Sequence, residues 1–427
     1  MWSAESAILG RVTQAPPSVP PAIAIPHDTL GALVRRFLRF GLLAWGGPVA
    51  QIAMLRRELV DQERWISSER FNRTLAVYQA LPGPEAHELC VYFGYLARGR
   101  IGGFLAGLAF MLPGLVLMLV LSWFYVSIGL DSPIFLAVFA GTQAAVLALI
   151  VRAMHRIGTH AITDRWLAGI TLLSLAAAVL GIGFVIILGL GGIIYLLVAR
   201  GLRAPALALL LVATVSLAAQ VAVSLGSQPA PIGQAQADAA EGPPVVEASA
   251  SELLASGLRA GVLTFGGAYT AIPFLQEDAV EDGGWMTNRT FLDGVALSGI
   301  LPAPLIIFST FVGYVAGGPL GALAMTAGIF APAFLFTLVG HRQLERIVEH
   351  HATHALLDGI TAGVVGLIAA ASLLLAPVAI RGLGGAAIFA IALMALYVWR
   401  SGVAVAAVVI GAGGLGLLLF GVVGVSA

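Results

Sequence analysis

Residues 38–49 read LRFGLLAWGGPV, and residues 258–269 read LRAGVLTFGGAY. Sliding 38–84 onto 258–304 without a gap gives 15 identities in 47 positions. They include Arg39/Arg259, Gly41/Gly261, Gly46/Gly266, Gly47/Gly267, Trp65/Trp285, Phe71/Phe291, Pro82/Pro302 and Pro84/Pro304. One residue of slippage then aligns Gly94-Tyr95 with Gly313-Tyr314, and Pro113 with Pro332. Shared apolar composition accounts for matching leucines but not for Trp, Pro and Gly in register. The chain therefore carries two copies of one unit.

The unit belongs in a membrane. Only 10% of the 427 residues are charged, and 59% are apolar before the 52 glycines are counted. A soluble surface needs roughly 25% charged residues, so an ordinary soluble enzyme is excluded. With 22 basic and 22 acidic residues the formal charge is zero, which gives no footing for a nucleic-acid partner. Cys90 stands alone, so neither an internal disulfide nor a thiolate cluster can form. Apolar runs lie near 101–126, 133–151, 166–183, 204–226, 319–340, 355–378, 383–399 and 402–424, with a shorter glycine-rich one at 184–199. About 20 apolar residues span the hydrocarbon core as helix, and these runs do not alternate as barrel strands do. The expected fold is all-α: a polytopic membrane bundle surrounded by lipid.

Each copy also holds two short hydrophobic stretches broken by Gly or Pro, at Gly46-Gly47-Pro48 and Pro82-Gly83-Pro84 in the first. Roughly 12 helical residues flank each break, about half a 30 Å core at 1.5 Å per residue. The charged stretch Arg56–Arg73 between the breaks cannot sit in lipid. Two re-entrant hairpins with tips near the midplane satisfy both constraints. Pro48 and Pro84 suit first helical positions, so helix N-termini would point inward with unpaired N–H groups and a positive dipole end. Such ends bind anions, and paired broken helices in two halves mark transporter sites. The alternative is a packing kink, since Gly and Pro are common in membrane helices.

Arginine placement orients the bundle. All the basic residues are arginine, and Arg35/Arg36, Arg56–Arg73, Arg98/Arg100, Arg152/Arg156/Arg165 and Arg200/Arg203 would be cytoplasmic under the positive-inside rule. The organisation expected is a disordered cytoplasmic tail (1–28), a first repeat (29–203), an extra connecting span (204–226), a base-free extracytoplasmic linker (227–250) and a second, inverted repeat (251–427). Arg342, Arg346 and Arg400 then fall inside, and Arg381 is misplaced. The N-terminus would be cytoplasmic and the C-terminus outside. Residues 1–203 hold 16 Arg against 10 acids and residues 204–427 hold 6 against 12, so the zero is a cancellation between the two halves.

The repeated phrase, Arg-x-Gly-x-x-x-aromatic-Gly-Gly, then Trp-[Ile/Met]-[Ser/Thr], then Pro-x-Pro, resembles the chromate ion transporter family in its long, two-domain form. The likeness covers nearly all of residues 30–424. Phe37–Pro48, Trp65–Phe71 and the Gln79–Pro84 stretch carry it in the first copy. The second copy departs: Ala268 follows its Gly-Gly, Gly299 replaces glutamine and Ala303 replaces the Gly of Pro-Gly-Pro. What the resemblance implies is secondary export of chromate from the bacterial cytoplasm, driven by ion or proton gradients, with sulfate as a structural mimic.

The substrate-binding candidates are Arg39, Gly46, Gly47, Pro48, Gln79, Pro82, Gly83 and Pro84, with Arg259, Gly266, Gly267, Pro302 and Pro304 of the second copy. An arginine in lipid is costly, and a dianion held by a two-pronged hydrogen bond supplies a reason for Arg39 and Arg259; snorkelling is the alternative. Gln79 can donate an N–H to an oxyanion or simply pack. Glu85, His87 and Glu88 follow the Pro-Gly-Pro tip, either as helix-dipole partners or as proton-coupling groups. Leu305, Ile306 and Ile307 replace them in the second copy, so any such relay is one-sided. Trp65 and Trp285 read as interfacial anchors, with Ser67 and Thr287 as helix caps. His350, His351 and His354 read as a solvated loop rather than a metal site. No nucleotide-binding motif and no nucleophile cluster is visible, so an enzyme or a pump is disfavoured, and no cofactor or metal is expected. A carrier of sulfate or another tetrahedral oxyanion, an anion channel and a homodimer are all compatible with the sequence.

Overall fold

The computed structural model describes residues 29–45, 47–128, 132–226, 246–265, 267–348, 351–399, 401 and 403–422. All regular elements among them are helical. The first copy supplies α1 (Leu30–Leu42), α2 (Gly47–Leu55), α3 (Ser68–Ala80), α4 (Glu85–Ile128), α5 (Pro133–Ala161), α6 (Arg165–Val179) and α7 (Phe184–Ala199). Helix α8 (Arg203–Gly226) leads to the second copy. That copy comprises α9 (Ala250–Leu263), α10 (Ala271–Gln276), α11 (Asn288–Ile300), α12 (Phe308–Val348), α13 (His351–Ala379), α14 (Gly382–Val398) and α15 (Ala404–Gly416). Among the described residues, five helices are long and apolar enough to cross a bilayer, which makes this a multi-pass membrane protein.

Local chemistry sets the boundaries. Ser67 and Thr287 each accept the backbone N–H three residues on, at 3.2 Å, and so start α3 and α11 as N-caps. Ser249 and Glu252 start α9 as a capping box. The helices before the breaks are 13 or 14 residues long, half-span lengths. In α4 the chain turns at Arg98-Gly99, where Gly99 has φ +62°, and Gly318 in α12 repeats this at φ +63°. Residues 85–97 thus fold back against residues 100–128. A side chain on Gly94 would sit 2.4 Å from the Gly102 carbonyl, and one on Gly313 would sit 2.4 Å from that of Gly321.

This correspondence runs through the whole fold. Gly41 lies against the Phe110 carbonyl as Gly261 lies against that of Ile329. Short π-helical turns follow α2 and α10, at Arg56–Gln62 and Glu277–Asp282. Trp65 N–H and Trp285 N–H close these turns onto the carbonyls of Leu59 and Ala279, both at 2.8 Å. The two indoles are packing residues rather than surface anchors: Trp65 is fully buried, edge-on to Phe93, with Nε1 donating to Glu63 at 2.8 Å, and Trp285 is 9% exposed.

The halves interlock. Helix α5 of the first copy packs on α14 and α15 of the second, while α13 of the second packs on α6 and α7 of the first. The contacts are reciprocal at atomic scale: a Cβ on Gly141 would meet the Ala412 carbonyl at 2.1 Å, and one on Gly359 would meet that of Gly191 at 2.4 Å. In lipid, where apolar burial between helices contributes little, such close backbone approach through glycine is the main packing force.

Candidate functional site: the four helix breaks

The breaks meet because each half reaches into the other. Gly83 N–H donates to the Thr264 carbonyl at 2.8 Å, joining the second tip of one copy to the first tip of its partner. On the mirrored side, Gln51 Nε2 donates to Ala44 O at 3.0 Å and to Ala303 O at 3.1 Å. The same exchange appears in packing: Gly83 faces Ala333, and Gly114 faces Ala303. The sequence repeat equates Gly83 with Ala303, so one approximate two-fold relates these contacts.

At each Gly-Gly break the second glycine has positive φ, +80° at Gly47 and +115° at Gly267. That conformation turns α2 and the Ala268–Thr270 turn inward. Gly47 lies beside the Tyr269 hydroxyl and Gly267 beside the Glu85 carboxylate, each with 3.9 Å from a notional Cβ to the nearest oxygen. Helix α4 opens at Glu85, and the N–H groups of His87 and Glu88 already bond the Pro84 carbonyl.

These starts line a cavity of about 470 Å³. Pro48, Val49 and Ile52 of α2, Ala76 and Gln79 of α3, Glu85 of α4, and Gly267 and Tyr269 line it. Arg156 and His160 of α5 and His354 and Asp358 of α13 complete the lining, with Arg156, His160 and His354 exposed. His354 Nδ1 lies 3.6 Å from Asp358 Oδ1. A cation on α5, an uncharged amide at Gln79 and inward helix starts suit a small anion, and Glu85 adds a carboxylate beside them.

The structure therefore brings Pro48, Gln79, Glu85 and Gly267 to one cavity and places Gly47 at its rim. Pro82, Gly83, Pro84, Pro302 and Pro304 are buried behind it and shape the tips. Gly46 and Gly266 lie outside the described residues. His87 and Glu88 are fully buried, and the His87 ring sits between Phe330 and Phe334 at 4.9 and 4.7 Å. Neither oxygen of Glu88 has a hydrogen-bond partner among the described residues.

Arg39 and Arg259 lie away from the cavity. Arg39 donates to Glu58 in a surface cluster with Arg35, Arg36 and Glu63, and Arg259 forms an ion pair with Asp278. Ser256 Oγ also donates to Asp278, at 2.5 Å. Glu58 and Asp278 are themselves equivalent in the repeat, so the ion pair is a duplicated feature of the π-helical turns.

Sequence reading missed Arg156, His160, Tyr269 and Asp358. The signal was present for two of them: Arg152, Arg156 and His160 recur every four residues, one face of a helix, but the arginines read only as cytoplasmic charge. His351 and His354 fall in α13 rather than in a loop, and His350 lies outside the described residues.

Two stretches of the chain, residues 31–197 and 251–417, each match the family described as Chromate transporter. A "Chromate transport protein" of Pseudomonas aeruginosa is 55% identical, with 94% of each chain aligned. Another "Chromate transport protein", of Cupriavidus metallidurans, is 30% identical over 82% of this chain and 84% of its own. No solved structure matches. The chain belongs to the chromate transporter family, in the long form that carries the family unit twice.

Proposed function

We propose that the protein exports chromate from the bacterial cytoplasm by secondary active transport, binding the dianion where the four breaks converge. The observation that carries this reading is the cavity itself: inward helix starts at Pro48 and Glu85, the Gln79 amide and the Arg156 guanidinium surround one space. A bidentate guanidinium and oriented N–H dipoles read negative charge and tetrahedral shape. Similarity to proteins named for chromate transport favours chromate over the mimic sulfate.

In this reading the two units, 29–203 and 251–427, have inverted topology, with the tail 1–28 cytoplasmic and the linker 227–250 outside. The exposed cavity residues Arg156 and His160 then face the cytoplasm, where an exporter loads. Arg39, Arg259 and the buried tip residues contribute by holding the breaks in place. Glu85 at the cavity wall, with His87 and Glu88 behind it, forms a proton-coupling route. Buried ionisable groups in membrane segments commonly serve such relays.

The test uses inside-out vesicles. Labelled chromate accumulates when a proton gradient is imposed, sulfate competes for uptake, and preloaded chromate accelerates entry of label, as a carrier requires and a channel does not. Uptake no faster than in vesicles lacking the protein overturns export. Cytoplasmic labelling of the 227–250 linker overturns the orientation.

A further inference from the structure

One buried polar cluster joins the two halves outside the cavity. Asp293 of α11 is 3% exposed. Its Oδ2 accepts from the Tyr125 hydroxyl of α4 at 2.8 Å, and its Oδ1 accepts from Gln143 Nε2 of α5 at 2.7 Å. Tyr125 is edge-on to Phe139 at 5.7 Å and to Phe311 at 4.9 Å. Gly294 makes room for the Phe311 ring, which would lie 2.2 Å from a Cβ there. Arg289, one turn earlier on α11, and Arg381 before α14 add positive potential at the carboxylate. None of the three triad residues lines the cavity.

The repeat identifies the equivalent place in the other half. Asp293 corresponds to Arg73, which is exposed and bonds Glu69 on its own helix at 3.2 Å. Gln143 corresponds to Thr361, by the reciprocal glycine contacts at 141 and 359. Thr361 lines the cavity and donates to Leu357 O of its own helix at 2.8 Å. Where the triad ties the halves together, its counterparts leave them apart. Ala76 and Ala296 make the same point: Ala76 lines the cavity, whereas its equivalent Ala296, three residues from Asp293, is 1% exposed.

We propose that Asp293, Tyr125 and Gln143 form the gate that closes the side opposite the cavity. Transport separates them while the Arg73/Thr361 side closes. The proposal deepens the carrier reading above and rests on it. A carboxylate receiving two donors in a dehydrated interior favours one packed arrangement strongly, and discrete packed arrangements are what a switch requires.

Thiol labelling tests this in the full chain, with buried Cys90 replaced by alanine to remove background. Ala76→Cys and Ala296→Cys are exposed to a membrane-impermeant maleimide in sealed vesicles of both orientations, in buffer free of tetrahedral oxyanions. With the gate intact, the thiol at 76 reacts from the cavity side and that at 296 reacts from neither. Adding Asp293→Ala is expected to raise the rate at 296 at least fivefold, from the opposite side only, and to slow the rate at 76. Gln143→Leu and Tyr125→Phe each remove one donor while keeping the shape, and are expected to give smaller shifts of the same sign. Unchanged rates at both thiols in Gln143→Leu and Tyr125→Phe overturn the gate even if Asp293→Ala does not fold. A triad that only stabilises the fold would lower the melting temperature without a one-sided gain in labelling. Labelling needs no substrate, so the gate response in these variants, without chromate uptake by the parent protein, would overturn chromate as the substrate and leave the gate standing.

Discussion

The two Pro-x-Pro tips have nearly the same surroundings and opposite chemistry. After Pro84 the helix begins with Glu85, His87 and Glu88; after Pro304 a 3-10 turn of Leu305, Ile306 and Ile307 leads into α12. Gly83 holds φ +147°, whereas Ala303, under no such constraint, is not among the left-handed residues. The tips exchange equivalent contacts across the approximate two-fold, yet only the first is polar. Symmetry here belongs to the backbone, and function to the departures from it. A duplicated scaffold supplies two arrangements of nearly equal geometry, and unequal side chains give each side its own task.

The strongest way to break this comparison is to attack the shared packing. Gly41→Leu and Gly261→Leu each drive a side chain into a carbonyl, at Phe110 and Ile329, and each is expected to cost about 3 kcal/mol. Thermal unfolding in detergent measures this; a large loss in one copy and none in the other would end the claim of equal scaffolding. Next comes the cavity cation. Arg156→Ala should lower kcat/KM for chromate uptake by about 10- to 100-fold, as expected for one lost charge-assisted bond. Leu374→Ala, at the corresponding place on α13, should stay near wild type.

Smaller effects test the repeated ion pair. Asp278 is 2% exposed and Glu58 is 23% exposed, so removing their arginines has unequal consequences. Arg259→Ala leaves a buried carboxylate with Ser256 as its remaining donor and is expected to destabilise by about 1–2 kcal/mol. Arg39→Ala, at a more exposed pair, should cost less than about 1 kcal/mol. Chromate uptake by the double variant decides whether these residues matter to transport at all, and a wild-type rate ends their proposed role in holding the breaks. Last is the tip itself. Gly83→Ala imposes a side chain on a left-handed φ, with the Glu88 carboxylate 3.0 Å away, for about 1 kcal/mol. Ala303→Gly should change stability by no more than that, and a larger loss would mean the second tip is the stricter one.

Much of the scaffold was legible in the sequence because its causes are local. Glycine and proline in repeat register gave the broken helices, Ser67 and Thr287 gave the caps, and apolar runs gave the bundle. The site was harder to read. Arg39 and Arg259 are duplicated, which suggested a shared substrate role, but duplication equally preserves a structural pair with Glu58 and Asp278. Arg156 has no counterpart cation, so the repeat gave it no emphasis. Its place in the cavity depends on α5 packing against the second copy. Tyr125, Gln143 and Asp293 are far apart in sequence, and no spacing rule joins them. Trp65 and Trp285 looked like surface anchors because aromatic residues favour interfaces, but close packing against the π-helical turns took precedence.

The crossing of α5 and α13 into opposite halves also sets a demand on synthesis. The surface of α5 that receives α14 and α15 leaves the ribosome well before those helices exist. At roughly 5–20 residues per second the wait is on the order of tens of seconds. During that time the nascent first half sits in the bilayer with Gly141 and its neighbours facing lipid or a membrane chaperone. Expressing the two halves as separate polypeptides would leave each with an unfilled groove. That packing surface of α5 is thus filled only by α14 and α15, and truncation after α14 should leave the first half inserted but unfinished.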